Sequence, residues 1–386
     1  MASYPLEVTS CVAEVIFISL SIYLVCMLFD KRPKSKRKDL FGEDYLLDSL
    51  LKQLNKKSGL IVIKGLRRTG KTSILKVALE ESNMPYVLID VRYAPYTDRR
   101  QFLDFLAKEI IKVLDKDIVS KIIKKISRVS LSLGKEYFKG SLDFDIKDDS
   151  DFLTVLREAN KKNLILAFDE AQYLSGINFD MIIAGIYDNF PNIGVVLTGS
   201  EIGLLEDFLG KGNDKAPLYG RLYFELKPER FDPERTFAFL EAGFKQYNQK
   251  ISKEEINQVI EEFDGVVGWH TYYGYLRCDE NKNHLNALKI VAEIGSRTAY
   301  EEFERFLNTK KSRERYQKLM KLIMLGKSNW SQIKKEMLLR FGKISDSQLS
   351  KYLKDLLYHG FVEKSNEKYL ITDPLLIKGI EQNIKF

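Results

Sequence analysis

Apolar and polar positions fall in blocks whose period changes along the chain. Leu60–Lys64 (LIVIK) is apolar almost throughout and runs into a glycine, the pattern of a strand buried on both faces of a parallel sheet. Tyr86–Val91 (YVLIDV), the run from Leu164 to Phe168 and Gly194–Thr198 (GVVLT) share that character. Between them the period lengthens to that of helices. Ile74, Leu75, Val77, Ala78 and Leu79 follow the first run, and a helix over Asp180–Phe190 precedes the fourth. Ile110, Ile111, Val113, Leu114, Ile118, Ile122, Ile123 and Ile126, set among lysines, predict a helical insertion between Gln101 and Phe152. The acidic stretch Ser141–Asp151 after it lacks EF-hand spacing and reads as a solvated linker. Strands alternating with helices predict an α/β fold on a parallel sheet, and the long separation of the first and third runs implies a strand inserted between them.

The pattern changes again at Ser312. Tyr316, Leu319, Met320 and Ile323 make one buried stripe of a helix over Arg313–Leu325. A second helix is predicted over Trp330–Phe341 and a third over Gln348–His359, capped near Ser345-Asp346-Ser347, with Leu349, Tyr352, Leu353, Leu356 and Leu357 inward. Phe361–Lys364 and Lys368–Thr372 then flank a turn at Ser365–Glu367. Three helices followed by a hairpin is the order of a winged helix-turn-helix, with Ser347, Gln348, Ser350, Lys351 and Lys354 facing outward from its recognition helix.

Two of the strands carry chemistry at their ends. After the first comes Gly65-Leu66-Arg67-Arg68-Thr69-Gly70-Lys71-Thr72-Ser73, a complete GxxxxGK[ST] followed by a helix. Such a loop wraps backbone amides and a helix N-terminus around phosphate, with Lys71 reaching the β/γ-phosphates and Thr72 holding Mg²⁺. The third ends in Asp169-Glu170, which fits a Mg²⁺-linked acid followed by a general base for the attacking water. A glutamate at 170 favours a hydrolytic ATPase over a GTPase switch or a small-molecule kinase. Thr198 and Ser200, closing the fourth strand, read as sensors beside the γ-phosphate and equally as N-caps of the helix that follows, two roles that are compatible.

These pieces resemble the archaeal ATPase family, a branch of P-loop NTPases close to the AAA+ and STAND proteins. The resemblance rests on GLRRTGKTS (Gly65–Ser73), FDEAQYL (Phe168–Leu174), LTGSEIGLL (Leu197–Leu205), PLYGR (Pro217–Arg221) and GVVGWHTYYGY (Gly265–Tyr275), in that order. It implies an ATP-binding AAA+-like core with a helical lid near Asp232–Leu307 and a C-terminal winged helix. It also implies that Arg221 approaches the γ-phosphate or the nucleotide of a neighbouring subunit. Read from its own surroundings, Arg221 beside a short strand is equally an ion-paired residue. Relatives often carry Gly-x-Pro in the lid against the adenine, and here Val267 stands in that place. The domain expectation is 1–38 as an N-terminal segment and basic linker, 39–231 as ATPase core, 232–310 as lid and 311–386 as winged helix.

Composition narrows the reading. The 386 residues, 45% hydrophobic and 30% charged, exclude a disordered, collagen-like or multi-span membrane protein. Three cysteines and three histidines make neither a disulfide framework nor a zinc cluster. The net charge of +7 is localised, since 311–364 holds 13 basic and 5 acidic residues, a sum of +8. That footprint suits duplex DNA, with Gln348, Lys351 and Lys354 as the contact candidates; a winged helix can equally dock a protein partner. Finally, Cys11–Phe29 is a run of 19 residues with one charge, Glu14, followed by six basic residues between Lys31 and Lys38. It reads either as an N-out membrane anchor that leaves the rest of the chain in the cytoplasm, or as an untranslated extension with Met27 as the initiator. Together these features predict an ATP- and Mg²⁺-dependent ATPase acting on DNA or, alternatively, a slowly hydrolysing nucleotide-gated switch that binds a protein.

Overall fold

The computed structural model describes residues 27–56, 59–126 and 149–385. Five parallel strands, β1 (Leu60–Lys64), β2 (Tyr86–Asp90), β3 (Leu164–Asp169), β4 (Ile193–Gly199) and β5 (Phe224–Leu226), lie in the order β2-β3-β4-β1-β5. The inserted strand is β4, which separates β1 from β3 as the spacing predicted. Registers Lys64↔Gly199 and Phe168↔Leu197 bring the ends of β1, β3 and β4 to one edge of the sheet. That is the edge where ligands bind in open parallel sheets.

Strands β1 to β4 each feed two cores. Ile61 and Ile63 pack with α1 (Asp44–Asn55) and α2 (Lys71–Glu81), while Leu60 and Val62 face the side covered by α3 (Arg99–Lys112), α4 (Lys116–Lys125), α5 (Asp149–Ala159) and α6 (Phe179–Asn189). The continuous apolar runs are thus explained by burial on both faces. Of the helical insertion, the described residues before Asp149 form α3 and α4, and 127–148 lie outside the described residues. The acidic stretch differs from the linker expected: 141–148 lie outside the described residues, and Asp149–Asp151 form the first turn of α5. There the carboxylates favour a helix N-terminus, and Asp149 pairs with Arg99 at 2.8 Å.

Beyond the short α7 (Ile202–Phe208) and β5, the lid comprises α8 (Pro233–Gln246), α9 (Lys253–Phe263), α10 (Val267–Cys278) and α11 (His284–Asn308). Its core closes on Phe29, fully buried against Phe239 and Phe244. Only glycine fits beside that ring: a Cβ on Gly243 or Gly274 would stand 2.1 or 2.3 Å from it.

The N-terminal expectation changes accordingly. Residues 27–38 are not a linker: Leu28 N donates to Gln246 Oε1 at 2.8 Å, Lys34 N donates to Ser73 Oγ at 3.1 Å, and Arg37 pairs with Asp48 and Glu81 at 2.7 and 3.0 Å. Lys31 lies 3.7 Å from the Tyr275 ring centroid. Residues 11–26 of the apolar run lie outside the described residues, and its last two apolar residues, Leu28 and Phe29, belong to the lid core. Among the described residues no helix is long and apolar enough to cross a membrane.

The C-terminal module contains α12 (Arg313–Met324), α13 (Trp330–Phe341), α14 (Asp346–Tyr358) and the antiparallel hairpin β6 (Val362–Ser365) and β7 (Lys368–Ile371). It is a winged helix-turn-helix domain. A further helix, α15 (Pro374–Asn383), was not anticipated, although Asp373 as N-cap and Pro374 in the first turn signal it. Lid and winged helix are not separated by a linker. The long helix α11 spends Ala287 and Val291 on the lid core and Phe303, Phe306 and Leu307 on the winged-helix core.

Candidate active site

The loop after β1 turns through two left-handed residues, Arg68 (φ 63°) and Gly70 (φ 88°), before α2 starts at Lys71. Thr69 Oγ1 donates to Leu66 O at 2.9 Å and closes the turn. Lys71 is buried, its Nζ donating to Gly65 O at 3.0 Å and Leu66 O at 2.6 Å. Burial lowers the ammonium to about 8 against the attraction of Glu170 and Asp169, and the charges of Arg67 and Arg68 push the same way as burial. Ser73 faces the N-terminal segment through its bond from Lys34 N.

The insertion of β4 between β1 and β3 sets Thr198 beside the acidic pair. Thr72 Oγ1 donates to Asp169 Oδ2 at 2.8 Å, and Thr198 Oγ1 donates to Asp169 Oδ1. Thr198 also accepts from Glu170 N at 3.2 Å, which helps to hold Glu170 at φ 56°, a left-handed conformation costly for a glutamate. Glu170 Oε2 accepts from Ser200 N at 3.1 Å, Ser200 Oγ at 2.9 Å and Gln172 Nε2 at 2.6 Å. Burial pushes the Glu170 carboxyl up, but the Lys71 charge and these donors outweigh it and leave it below its ordinary value. Thr198 and Ser200 therefore serve the acids. The helix they were alternatively read as capping has Glu201 at its N-cap, with no side-chain cap bond.

A cleft of about 1480 Å³ opens over these groups. Its walls are the loop, the segment after β2 with Arg92, Tyr93 and Tyr96, the N-terminal segment from Asp30 to Lys34 with Phe41, and the lid residues Val267, Gly268, Thr271 and Tyr272. Val267, read from the sequence in the place of the lid proline, is thus on the wall of the cleft. Arg92, which no motif marks, lines the cleft with its guanidinium held by Asp90 at 2.6 Å.

Arg221 is not brought to this cleft. Its guanidinium pairs with Asp188 at 2.5 Å and donates to Pro217 O, so within its own chain it is the ion-paired residue of the alternative reading. Nor did the sequence disclose the roles of Arg67 and Arg68. Arg67 donates to His359 O at 2.9 Å and pairs with Glu201 and Glu302 at 3.2 and 3.3 Å. Arg68 pairs with Glu302 at 2.6 Å and Asp373 at 3.2 Å and lies 4.4 Å from the Trp269 ring centroid. His359 Nδ1 is 2.5 Å from Glu201 Oε2, immediately after Ser200. The last turn of α14 packs on α7 so closely that a Cβ on Gly203 would meet Tyr358 at 2.4 Å. Gln348, Lys351 and Lys354 are exposed as expected, but Gln348 Oε1 accepts the Ser345 N–H of a capping box at 3.2 Å, and Lys354 lies 4.8 Å from the Tyr358 ring centroid.

The family described as an ATPase domain predominantly from Archaea matches residues 45–269, and the MCM protein C-terminal winged helix-turn-helix domain matches residues 310–372. The solved Walker-type ATPase paby2304 of Pyrococcus abyssi is 30% identical, with a TM-score of 0.74 over 92% of this chain and 100% of that one. The Aeropyrum pernix Orc1 protein in complex with DNA is 12% identical, with a TM-score of 0.43 over 89% of this chain and 93% of that one. Domain III of the Thermotoga maritima replication initiation protein DnaA is 13% identical, with a TM-score of 0.40 over 67% of this chain and 96% of that one. None of the curated proteins matches the chain.

Proposed function

Since the chain belongs to the family of ATPase domains found predominantly in Archaea, we propose that it binds ATP with Mg²⁺ in this cleft, hydrolyses it, and passes the nucleotide state to a DNA-associated winged helix. The observation that carries the reading is the convergence of Thr72, Asp169 and Thr198 at the mouth of the Gly65–Ser73 loop, with Glu170 beside them. The donor set fits the ion: a neutral hydroxyl and a carboxylate are hard oxygen ligands of the kind Mg²⁺ takes alongside phosphate oxygens and water. Among the described residues no three His, Cys, Asp or Glu side chains form a metal cluster. Thr72 and Asp169 would hold Mg²⁺, which when bound supplies charge neutralisation at the transferring phosphoryl group.

The chain's own residues account for the rest. Lys71, turned onto Gly65 O and Leu66 O, swings to the β/γ-phosphates and gives its charge to them. Glu170 accepts the proton of the attacking water, its carboxyl kept ionised by Lys71 and oriented by Ser200 and Gln172. Catalysis here is positioning and charge rather than covalent chemistry.

DNA association is supported by the +8 charge of 311–364 and the exposed face of α14. One observation favours the second reading, a slow nucleotide-gated switch that binds a protein: the last turn of α14 is occupied by α7. The deciding experiment is phosphate release by wild type and Lys71→Ala, with and without duplex DNA. The proposal expects Mg²⁺-dependent turnover, loss of nucleotide binding in Lys71→Ala, and stimulation by duplex. Slow turnover indifferent to DNA supports the switch.

A further inference from the structure

Arg68 is the residue on which loop, lid and winged helix meet. Its left-handed backbone is a conformation that a non-glycine residue keeps only where its surroundings hold it. Three things hold it here. Its carbonyl accepts the N–H of Gly268 at the start of α10 at 3.2 Å, its guanidinium lies over Trp269, and its two terminal nitrogens are taken by Glu302 of α11 and Asp373 of the winged helix.

Asp373 divides its two oxygens between these tasks. Oδ1 accepts the Leu375 N–H that caps α15 at 3.0 Å and the Trp269 indole N–H at 3.2 Å, while Oδ2 takes Arg68. The same carboxylate therefore starts the last helix, ties it to the lid and fixes the phosphate-facing loop. Glu302 is split in the same way, with Oε1 on Arg68 and Oε2 on Arg67.

We propose that the winged helix is part of the nucleotide-binding apparatus: Asp373, together with Glu302, holds the left-handed turn at Arg68, so that seating of the C-terminal module and binding of nucleotide strengthen each other. Asp373 touches no substrate and is a positioning residue. It rests on the reading that the cleft takes ATP. Linkage makes the coupling reciprocal: whatever the docked module adds to nucleotide affinity, the nucleotide adds to docking.

The test is equilibrium titration of the full chain with a fluorescent N-methylanthraniloyl ATP, beside steady-state kinetics with ATP. Asp373→Asn keeps an amide oxygen for the cap and for Trp269 and turns an amide N–H2, a donor without charge, toward the Arg68 guanidinium, so charge and acceptor are lost together on that side. Arg68→Gln removes that pair from the other side, together with the Glu302 pair and the contact over Trp269, and leaves Asp373 able to cap α15. For Asp373→Asn Kd and KM rise about fivefold or more while kcat at saturating ATP stays within about twofold of wild type, because Glu170 and Asp169 are untouched; Arg68→Gln, in the phosphate loop itself, raises Kd and KM at least as much. The double variant binds no more weakly than the weaker single one. Unchanged Kd in Asp373→Asn, or two effects that simply multiply, overturns the inference while leaving the cleft's assignment standing. A wild-type chain that does not bind the probe removes the assignment and the inference together.

Discussion

Gln172 Nε2 donates to Glu170 Oε2 at 2.6 Å, on the same oxygen that takes the backbone and hydroxyl donors of Ser200 at 3.1 and 2.9 Å. Three donors converge on one oxygen, and Oε1 takes none of them. The carboxylate is thereby fixed in direction, with its second oxygen left to receive a proton. Glu170→Gln preserves size and removes the base, so ATP binding is retained while kcat drops by about 10²–10⁴-fold. Phosphate release at saturating ATP, beside an equilibrium binding curve, measures both; undiminished turnover removes Glu170 from the role of base.

The same contact has a pH signature. The donors of Gln172 and Ser200, with Lys71, hold the Glu170 carboxyl below its ordinary value against burial. A base with a lowered pKa works down to lower pH, so the acid limb of kcat/KM lies at low pH in the wild type. Gln172→Leu deletes one donor, the carboxyl rises, and the limb moves toward neutrality. A limb that stays in place shows that another group sets it.

Lys71 titrates in an accessible range. Burial holds its ammonium at about 8, against the pull of Glu170 and Asp169. Phosphate restores the charge, so ATP binding at pH 8 takes up about half a proton and affinity declines as pH rises further. Calorimetry in buffers of different ionisation heat reads the uptake directly, and proton release contradicts it. For stability the sign is separate: the folded state binds fewer protons than the unfolded chain between about 8 and the ordinary lysine value, so this group's contribution becomes more favourable as pH rises through that window.

What the sequence disclosed is what is local along it. The glycine loop, the acidic strand end and the helix-helix-helix-hairpin order each lie within a short window, and their period and turn residues are set by backbone geometry. The grip on Arg67 and Arg68 is not local: Arg68 reaches Glu302 and Asp373 across 234 and 305 residues, and no periodicity encodes such a pairing. Arg221 is a different case: its motif position and its local surroundings supported two readings, and within its own chain the nearby Asp188 takes it as the ion-paired residue. Leu28 and Phe29 show a third. An apolar run looks the same whether a lipid or a protein core receives it, and here the receiving surface is made by Gly243 and Gly274 on two distant helices.

That makes Phe29 a sensitive probe of the segment. Its ring is fully buried among Phe239, Phe244 and Tyr247, in a slot shaped by two glycines that cannot collapse into the space. Phe29→Ala is expected to destabilise the fold by about 3–5 kcal/mol, the range for large-to-small changes of a buried aromatic. Denaturant unfolding measures it; a change under about 1 kcal/mol means that residues near 29 do not pack on the lid in solution.

The winged helix offers the most direct check on DNA. Lys351 is exposed on α14, two turns before Tyr358, where the helix docks on α7. A lysine that meets phosphate contributes affinity without sequence preference, so Lys351→Ala should weaken duplex binding about equally for unrelated sequences and reduce the slope of log K against log salt by about 1. Lys354 differs, because its ammonium lies over the Tyr358 ring next to the docked turn. Lys354→Ala should therefore change the slope less than Lys351→Ala does. Filter binding across a salt series separates the two. Equal effects move the contact toward the docked end of α14, and an unaltered slope in both variants means that this face meets a partner other than nucleic acid.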